Sequence, residues 1–305
     1  IVGFLLNGQW QSDSVTITND KGQFIRSPVS FRHQIPSADY PAVAQRYHLY
    51  ISHACPWAHR TLIYHHLKSL DGIINISVVD PCMGEFGWAF SDTNPPPDPH
   101  ANIAYLKDLY LISDPQFTGR VTVPVLWDTM THQIVNNESS EIIRIFNSAF
   151  NDITGDTNDY YPHHLQSEID HWNDILYERI NNGVYKAGFS VNQDDYNHHV
   201  LTLFRALDNL EVHLETNTYL VGSEPTEADW RLFPTLFRFD PVYVGHFKCN
   251  IRRIIDYPNL HRYLKQLCDY RSVSQTCHID HIKAHYYTSH PQLNPNQIIP
   301  YGPLD

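Results

Sequence analysis

Hydrophobic and polar positions switch period sharply near residue 50. In Tyr47-His48-Leu49-Tyr50-Ile51, Tyr47, Leu49 and Ile51 fall on one side of an extended backbone and His48 and Tyr50 on the other. That alternation predicts a strand over 46–51. Thr61-Leu62-Ile63-Tyr64-His65-His66-Leu67 is apolar at helical spacing, and Pro56 suits the first helical position, where a missing N–H costs nothing. A helix is therefore expected over 56–70, closed by Asp71-Gly72 with glycine just past its end. Ile74–Val79 reads as a second strand. A strand–helix–strand unit of this length implies parallel strands joined by a right-handed crossover.

The rhythm then breaks. Gly84, Gly87 and Asn94-Pro95-Pro96-Pro97-Asp98-Pro99 sustain neither helix nor central strand, so 81–118 reads as a long irregular segment with a proline-rich insertion at 91–104. Tyr105, Leu106, Leu109 and Tyr110 mark a short helix at its end. Gly119-Arg120-Val121-Thr122-Val123-Pro124-Val125-Leu126-Trp127-Asp128 carries a strand signal with a proline inside it, which places Pro124 at a strand start. A cis peptide at Val123-Pro124 would leave the Val123 backbone open to an extended ligand. His132–Val135 is the returning strand of a hairpin. Asn136-Asn137-Glu138-Ser139-Ser140-Glu141 leads into a helix over 142–149, with Glu138 and Ser139 at its N-terminus.

On either side of this core the pattern differs. Residues 1–44 read as an arm, with Asn7-Gly8 a turn between short strands. The polar stretch 151–162 reads as a linker. Beyond it Leu165, Ile169, Trp172 and Leu176 form one helical face, and Tyr196, Val200, Leu203, Leu207, Leu210 and Leu214 another. Thr226 and Asp229 stand at capping-box spacing, and Leu260, Tyr263, Leu264 and Leu267 make a further face. The chain thus divides into an arm (1–44), an α/β domain (45–150), a linker (151–162), an all-α domain (163–290) and an extended tail (291–305).

A chain of 305 residues with 42% hydrophobic content has ample material for two cores. The net charge of −12 argues against nucleic acid and anionic membranes as partners. The first residues lack a charged region followed by an apolar one, so no signal peptide is expected. Five widely spaced cysteines imply no disulfide framework, and a reducing cytoplasmic setting fits best. Among twenty histidines, His278, His281 and His285 gather beside Cys277, but no Cys-x-x-Cys pair accompanies them. The reading is hydrogen-bonded or solvated histidines, and no metal.

Cys55 stands where the strand over 46–51 turns into the following helix. Most free cysteines are small buried hydrophobes, but such a cysteine needs no helix start. Free N–H groups and the positive end of the helix dipole both favour a thiolate there. Three residues on stands Ala58, so Cys55 lacks the local partner of a dithiol motif and must exchange with an external thiol.

These segments together carry a resemblance. Strand, Cys-Pro helix, strand, Val-Pro strand, hairpin and Glu-Ser helix start resemble a thioredoxin-like domain. Followed by an all-helical domain, the chain resembles a cytosolic glutathione transferase. Ser52–Arg60, Gly119–Asp128, Asn137–Arg144 and Lys283–His290 are similar to the corresponding segments of glutathionyl-hydroquinone reductases, the Xi-class or Omega-like transferases. The resemblance implies a Cys55 nucleophile and a glutathione site made by Trp88, Arg120, Val123, Glu138 and Ser139. It implies Tyr185, Tyr243 and Tyr286 at the hydroquinone, with Tyr185 and Tyr286 taking part in the chemistry, and a homodimer. The implied reaction reduces glutathionyl-hydroquinones through a Cys55–glutathione mixed disulfide and releases glutathione disulfide. Glutathione is the co-substrate. Two alternatives stay open on sequence: a general thioltransferase or dehydroascorbate reductase, and a non-catalytic glutathione-binding scaffold.

Overall fold

In the computed structural model, which describes residues 3–12, 29–91 and 103–303, β1 (Phe4–Leu6) and β2 (Gln9–Gln11) form a hairpin. Its turn is the expected Asn7-Gly8, both at positive φ, as a two-residue turn between twisted strands requires. Residues 13–28 of the arm and 92–102 of the insertion lie outside the described residues. By contact the chain divides into two units. Among the described residues the first is 3–12, 29–91, 103–158 and 276–290, and the second is 159–275 and 291–303.

The first unit is built on β3 (Tyr47–Ile51), α1 (Pro56–Leu67), β4 (Asn75–Val78), α2 (Leu106–Ser113), β5 (Gly119–Arg120), β6 (Val125–Asp128), β7 (Gln133–Asn136), α3 (Ser139–Ser148) and α4 (Asn151–Thr154). The main sheet has the order β4-β3-β6-β7, with β3 parallel to β4 and antiparallel to β6. A smaller sheet pairs β1 with β2 and β5. Every residue of β3 is buried, so both faces of this central strand are covered and not only the expected inward one. His48 hydrogen-bonds Ser77 at 3.0 Å, and burial lowers its pKa to about 4. Arg46 grips Asp128 through two bonds of 3.0 and 2.6 Å, tying the start of β3 to the end of β6.

The helix after β3 stops earlier than expected. α1 ends at Leu67, and Ser69, not Gly72, takes the left-handed conformation at its end, with φ +55°. The Ser69 N–H donates to His66 O and the Leu70 N–H to His65 O, a Schellman closure that buries Leu70. Gly72 has φ +76° in the following turn. The buried Lys68 ammonium donates to the carbonyls of Asp156 and Asn158. α3 begins three residues before the expected 142, because Glu138 caps it by accepting the Ser140 N–H at 2.9 Å. Residues 31–33 run along the outer edge of β7, with His33 N–H donating to Val135 O and Asn137 N–H to Phe31 O. Arg32 there holds Glu141.

The second unit is helical: α5 (Gln166–Leu176), α6 (Gly183–Gly188), α7 (Gln193–Thr216), α8 (Glu227–Arg238) and α9 (Pro258–Asp269). Asp229, in the first turn of α8, is fully buried. It accepts the Leu220 and Thr226 N–H groups at 2.9 and 2.7 Å and the Tyr263 hydroxyl at 2.6 Å, so one carboxylate joins the α8 start to α9. α10 (Ile279–Ser289) was expected in the helical domain over 163–290. By contact it belongs to the first unit, where Ser289 and His285 bond to the loop after β4. Among the described residues no helix is long and apolar enough to cross a membrane.

Candidate active site

Cys55 is the N-cap of α1, with extended backbone at φ −75° and ψ 123°, and Pro56 follows as the first helical residue. The turn into it is held by Ser52, whose carbonyl accepts the Cys55 N–H at 3.2 Å and whose hydroxyl accepts the Ala54 N–H at 3.2 Å. The side chain is half-buried, and Sγ lies 3.7 Å from the carbonyl oxygen of Val123. A thiol so placed donates to that oxygen. A thiolate there would lie at the positive end of the α1 dipole.

Val123 precedes a cis peptide to Pro124, as the sequence suggested, and β6 starts at the next residue. Among the described residues no hydrogen bond reaches the Val123 N–H, although the residue is buried. Glu138 and Ser139 stand at the start of α3. The Glu138 carboxylate accepts the Ser140 N–H and hydroxyl, both at 2.9 Å, and the Glu138 N–H donates to Asn136 Oδ1 at 2.8 Å. Arg120 is half-buried on β5, opposite Phe4 of β1.

Trp88 is buried in the loop after β4. Its ring stacks on His285 of α10, with centroids 4.7 Å apart and planes 26° apart. His285 Nδ1 lies 3.0 Å from Pro81 O, and the Met83 N–H donates to Ser289 Oγ at 3.3 Å, so α10 is pinned along this loop. Tyr286, next to His285 in sequence, is 2% exposed and packs edge-on to His285 and His290. The histidine group noted in the sequence is thereby divided. His285 serves the Trp88 loop, whereas His278 stacks on His53 at 3.6 Å and His281 meets the same ring edge-on at 5.2 Å.

Tyr185 and Tyr243 belong to the second unit. Tyr185 is half-buried in α6 and Tyr243 is fully buried, with ring centroids 6.2 Å apart. Phe247 stacks on Tyr243 and meets Tyr185 edge-on. Sequence reasoning passed over Tyr110, Asn137 and the role of His285. A tyrosine in an otherwise apolar helix face announces that its hydroxyl needs a partner, but not which one.

Family models for the glutathione S-transferase N-terminal domain and C-terminal domain match residues 54–149 and 193–266. A glutathionyl-hydroquinone reductase of Sphingobium chlorophenolicum, PcpF, is 48% identical over 99% of this chain and 96% of its own. YqjG of Escherichia coli, also a glutathionyl-hydroquinone reductase, is 46% identical over 99% of this chain and 95% of its own. The crystal structure of the Xi glutathione S-transferase of Phanerochaete chrysosporium superposes with a TM-score of 0.90 at 51% identity, covering 94% of this chain and 95% of that one. The glutathione-bound structure of YqjG also gives 0.90, at 44% identity, covering 99% of this chain and 96% of that one. With both domain models matched and the relatives aligned nearly end to end, the chain belongs to the glutathione S-transferase family, in its branch of Xi-class glutathionyl-hydroquinone reductases.

Proposed function

We propose that the protein reduces glutathionyl-hydroquinones to hydroquinones with glutathione as co-substrate. The carrying observation is Cys55 itself, a half-buried thiol at the N-cap of α1, 3.7 Å from the Val123 carbonyl, with Ala58 where a resolving cysteine would stand. A conjugating transferase needs a hydroxyl to stabilise the glutathione thiolate. A cysteine there favours attack on glutathione sulfur instead.

In this reading the Val123 N–H and C=O pair with the cysteinyl part of glutathione. Glu138 takes the γ-glutamyl ammonium, and Ser139 with the α3 N-terminus takes its carboxylate. Arg120 and Trp88 contact the rest of the tripeptide. The Cys55 thiolate attacks the thioether sulfur, forming a Cys55–glutathione disulfide. The carbon–sulfur bond breaks, and its electron pair stays on the ring carbon, which takes a proton from Tyr286 or Tyr185. A second glutathione thiolate attacks the mixed disulfide, releases glutathione disulfide and restores Cys55, while its thiol proton replaces the one given up. Tyr243 completes the aromatic set that holds the hydroquinone. The working form in this reading is a cytoplasmic homodimer, which sedimentation and fractionation test.

The experiment is a comparison of turnover on glutathionyl-menadiol with turnover on a glutathione mixed disulfide and on dehydroascorbate. Strong preference for the thioether supports the reading. Preference for the other two makes the protein a general thioltransferase, and no turnover on any makes it a scaffold.

A further inference from the structure

We propose that Tyr110 is a positioning residue whose single hydroxyl sets the spacing between the Val123 loop and the start of α3. The proposal rests on the reading of Val123, Glu138 and Ser139 as the glutathione site. Tyr110 lies on α2 and is fully buried. Its hydroxyl donates to Thr122 O at 2.8 Å. It accepts the Thr122 N–H at 3.2 Å and the Asn137 side-chain amide at 3.2 Å. A phenol has one proton and two lone pairs, so these three bonds use its full capacity, with the Thr122 hydroxyl farther off at 3.5 Å. Thr122 is the residue before Val123, and Asn137 the residue before Glu138. One oxygen therefore ties together the neighbours of the backbone that would meet the cysteinyl group and of the cap that would meet the γ-glutamyl group.

The placement is itself rigid. Phe31 meets the Tyr110 ring edge-on at 5.8 Å, and Phe117 lies 5.1 Å away. Asn137 is oriented from its other side, because its Oδ1 accepts the Phe31 N–H at 3.2 Å and its own N–H donates to Phe31 O. Burial raises the Tyr110 pKa, so the hydroxyl keeps the proton that the Thr122 carbonyl needs. A ligand spanning both segments gains only if they are already correctly spaced, since ordering them on binding subtracts from affinity.

The test is Tyr110→Phe in the full chain, which keeps the ring and removes the oxygen. The KM for glutathionyl-menadiol, whose glutathionyl part occupies that site, is expected to rise about tenfold, with its kcat and the rate of Cys55 alkylation by iodoacetamide within about twofold. A lowered thermal midpoint with an unchanged KM would mean that the hydroxyl only holds the fold, and would overturn the proposal. Should Tyr110→Phe not fold, Asn137→Ala serves, because it cuts the link to α3 and leaves the Thr122 bonds in place. It too is expected to raise KM, and an unchanged KM overturns the proposal. Glu138→Gln and Ser139→Ala separate the two levels. If they raise KM while Tyr110→Phe does not, only the positioning role fails. If they leave KM unchanged, the glutathione site fails and this proposal with it.

Discussion

The Cys55 sulfur lies 3.7 Å from the carbonyl oxygen of Val123, across 68 residues of sequence. That contact joins a thiol at a helix start to the residue before β6, whose N–H receives no hydrogen bond among the described residues. A thiol that attacks peptide-borne sulfur needs a groove that presents the sulfur along its line of approach.

Replacing Cys55 by Ser is expected to lower turnover on glutathionyl-menadiol at least about a thousandfold, because a hydroxyl is a poor nucleophile toward sulfur and a poor leaving group from it. Steady-state kinetics check this, and a Cys55→Ser enzyme retaining a tenth of the activity would exclude the mechanism.

Tyr286→Phe separates the two half-reactions. If its hydroxyl protonates the ring carbon, kcat on the thioether falls about a hundredfold, while exchange with a simple disulfide, which needs no carbon protonation, changes little. An equal loss on both substrates would assign Tyr286 to packing.

Asp229→Ala is expected to destabilise the fold by about 3 kcal/mol or more, read from urea unfolding, because it orphans the Leu220 and Thr226 N–H groups and the Tyr263 hydroxyl together in a dry interior. Asp229→Asn, which keeps one acceptor oxygen, should lose less.

Stability is expected to fall on mild acidification. Desolvation lowers the pKa of both His48 and His246 to about 4, from 6.5 for a free side chain. The folded state holds both neutral while the unfolded chain takes up protons below 6.5, so their contribution is complete above that pH. It is lost progressively as pH falls toward 4. Each withdraws of order 3 kcal/mol across that window. Urea midpoints at pH 7.5 and 5 measure the effect, and His48→Gln should flatten the dependence. Equal midpoints in the wild type would contradict it.

Cys55, Val123-Pro124 and Glu138-Ser139 were legible because each is a local punctuation mark: a cysteine and proline at a helix start, a proline at a strand start, an acid and a serine before an apolar run. The approach of Cys55 to Val123 was not legible from those marks, since it depends on β3 and β6 lying side by side. Local signals also misplaced details. Gly72 reads as the end of α1 from its type alone, yet the pull of Leu70 into the core makes Ser69 the left-handed residue. α10 reads as one more helix of the helical half. Only the bonds from His285 and Ser289 to the loop after β4 reveal that its contacts lie with the first unit. Tyr110 in an apolar helix face shows that its hydroxyl needs a partner, but Thr122 and Asn137 are brought to it only by the fold.

The most direct measurement is mass spectrometry of the protein quenched after a single turnover with glutathionyl-menadiol in the absence of free glutathione. The account predicts one glutathionyl group, removable by reductant, on the peptide containing Cys55, with one equivalent of menadiol released. Menadiol released from a protein whose Cys55 is unmodified would contradict it.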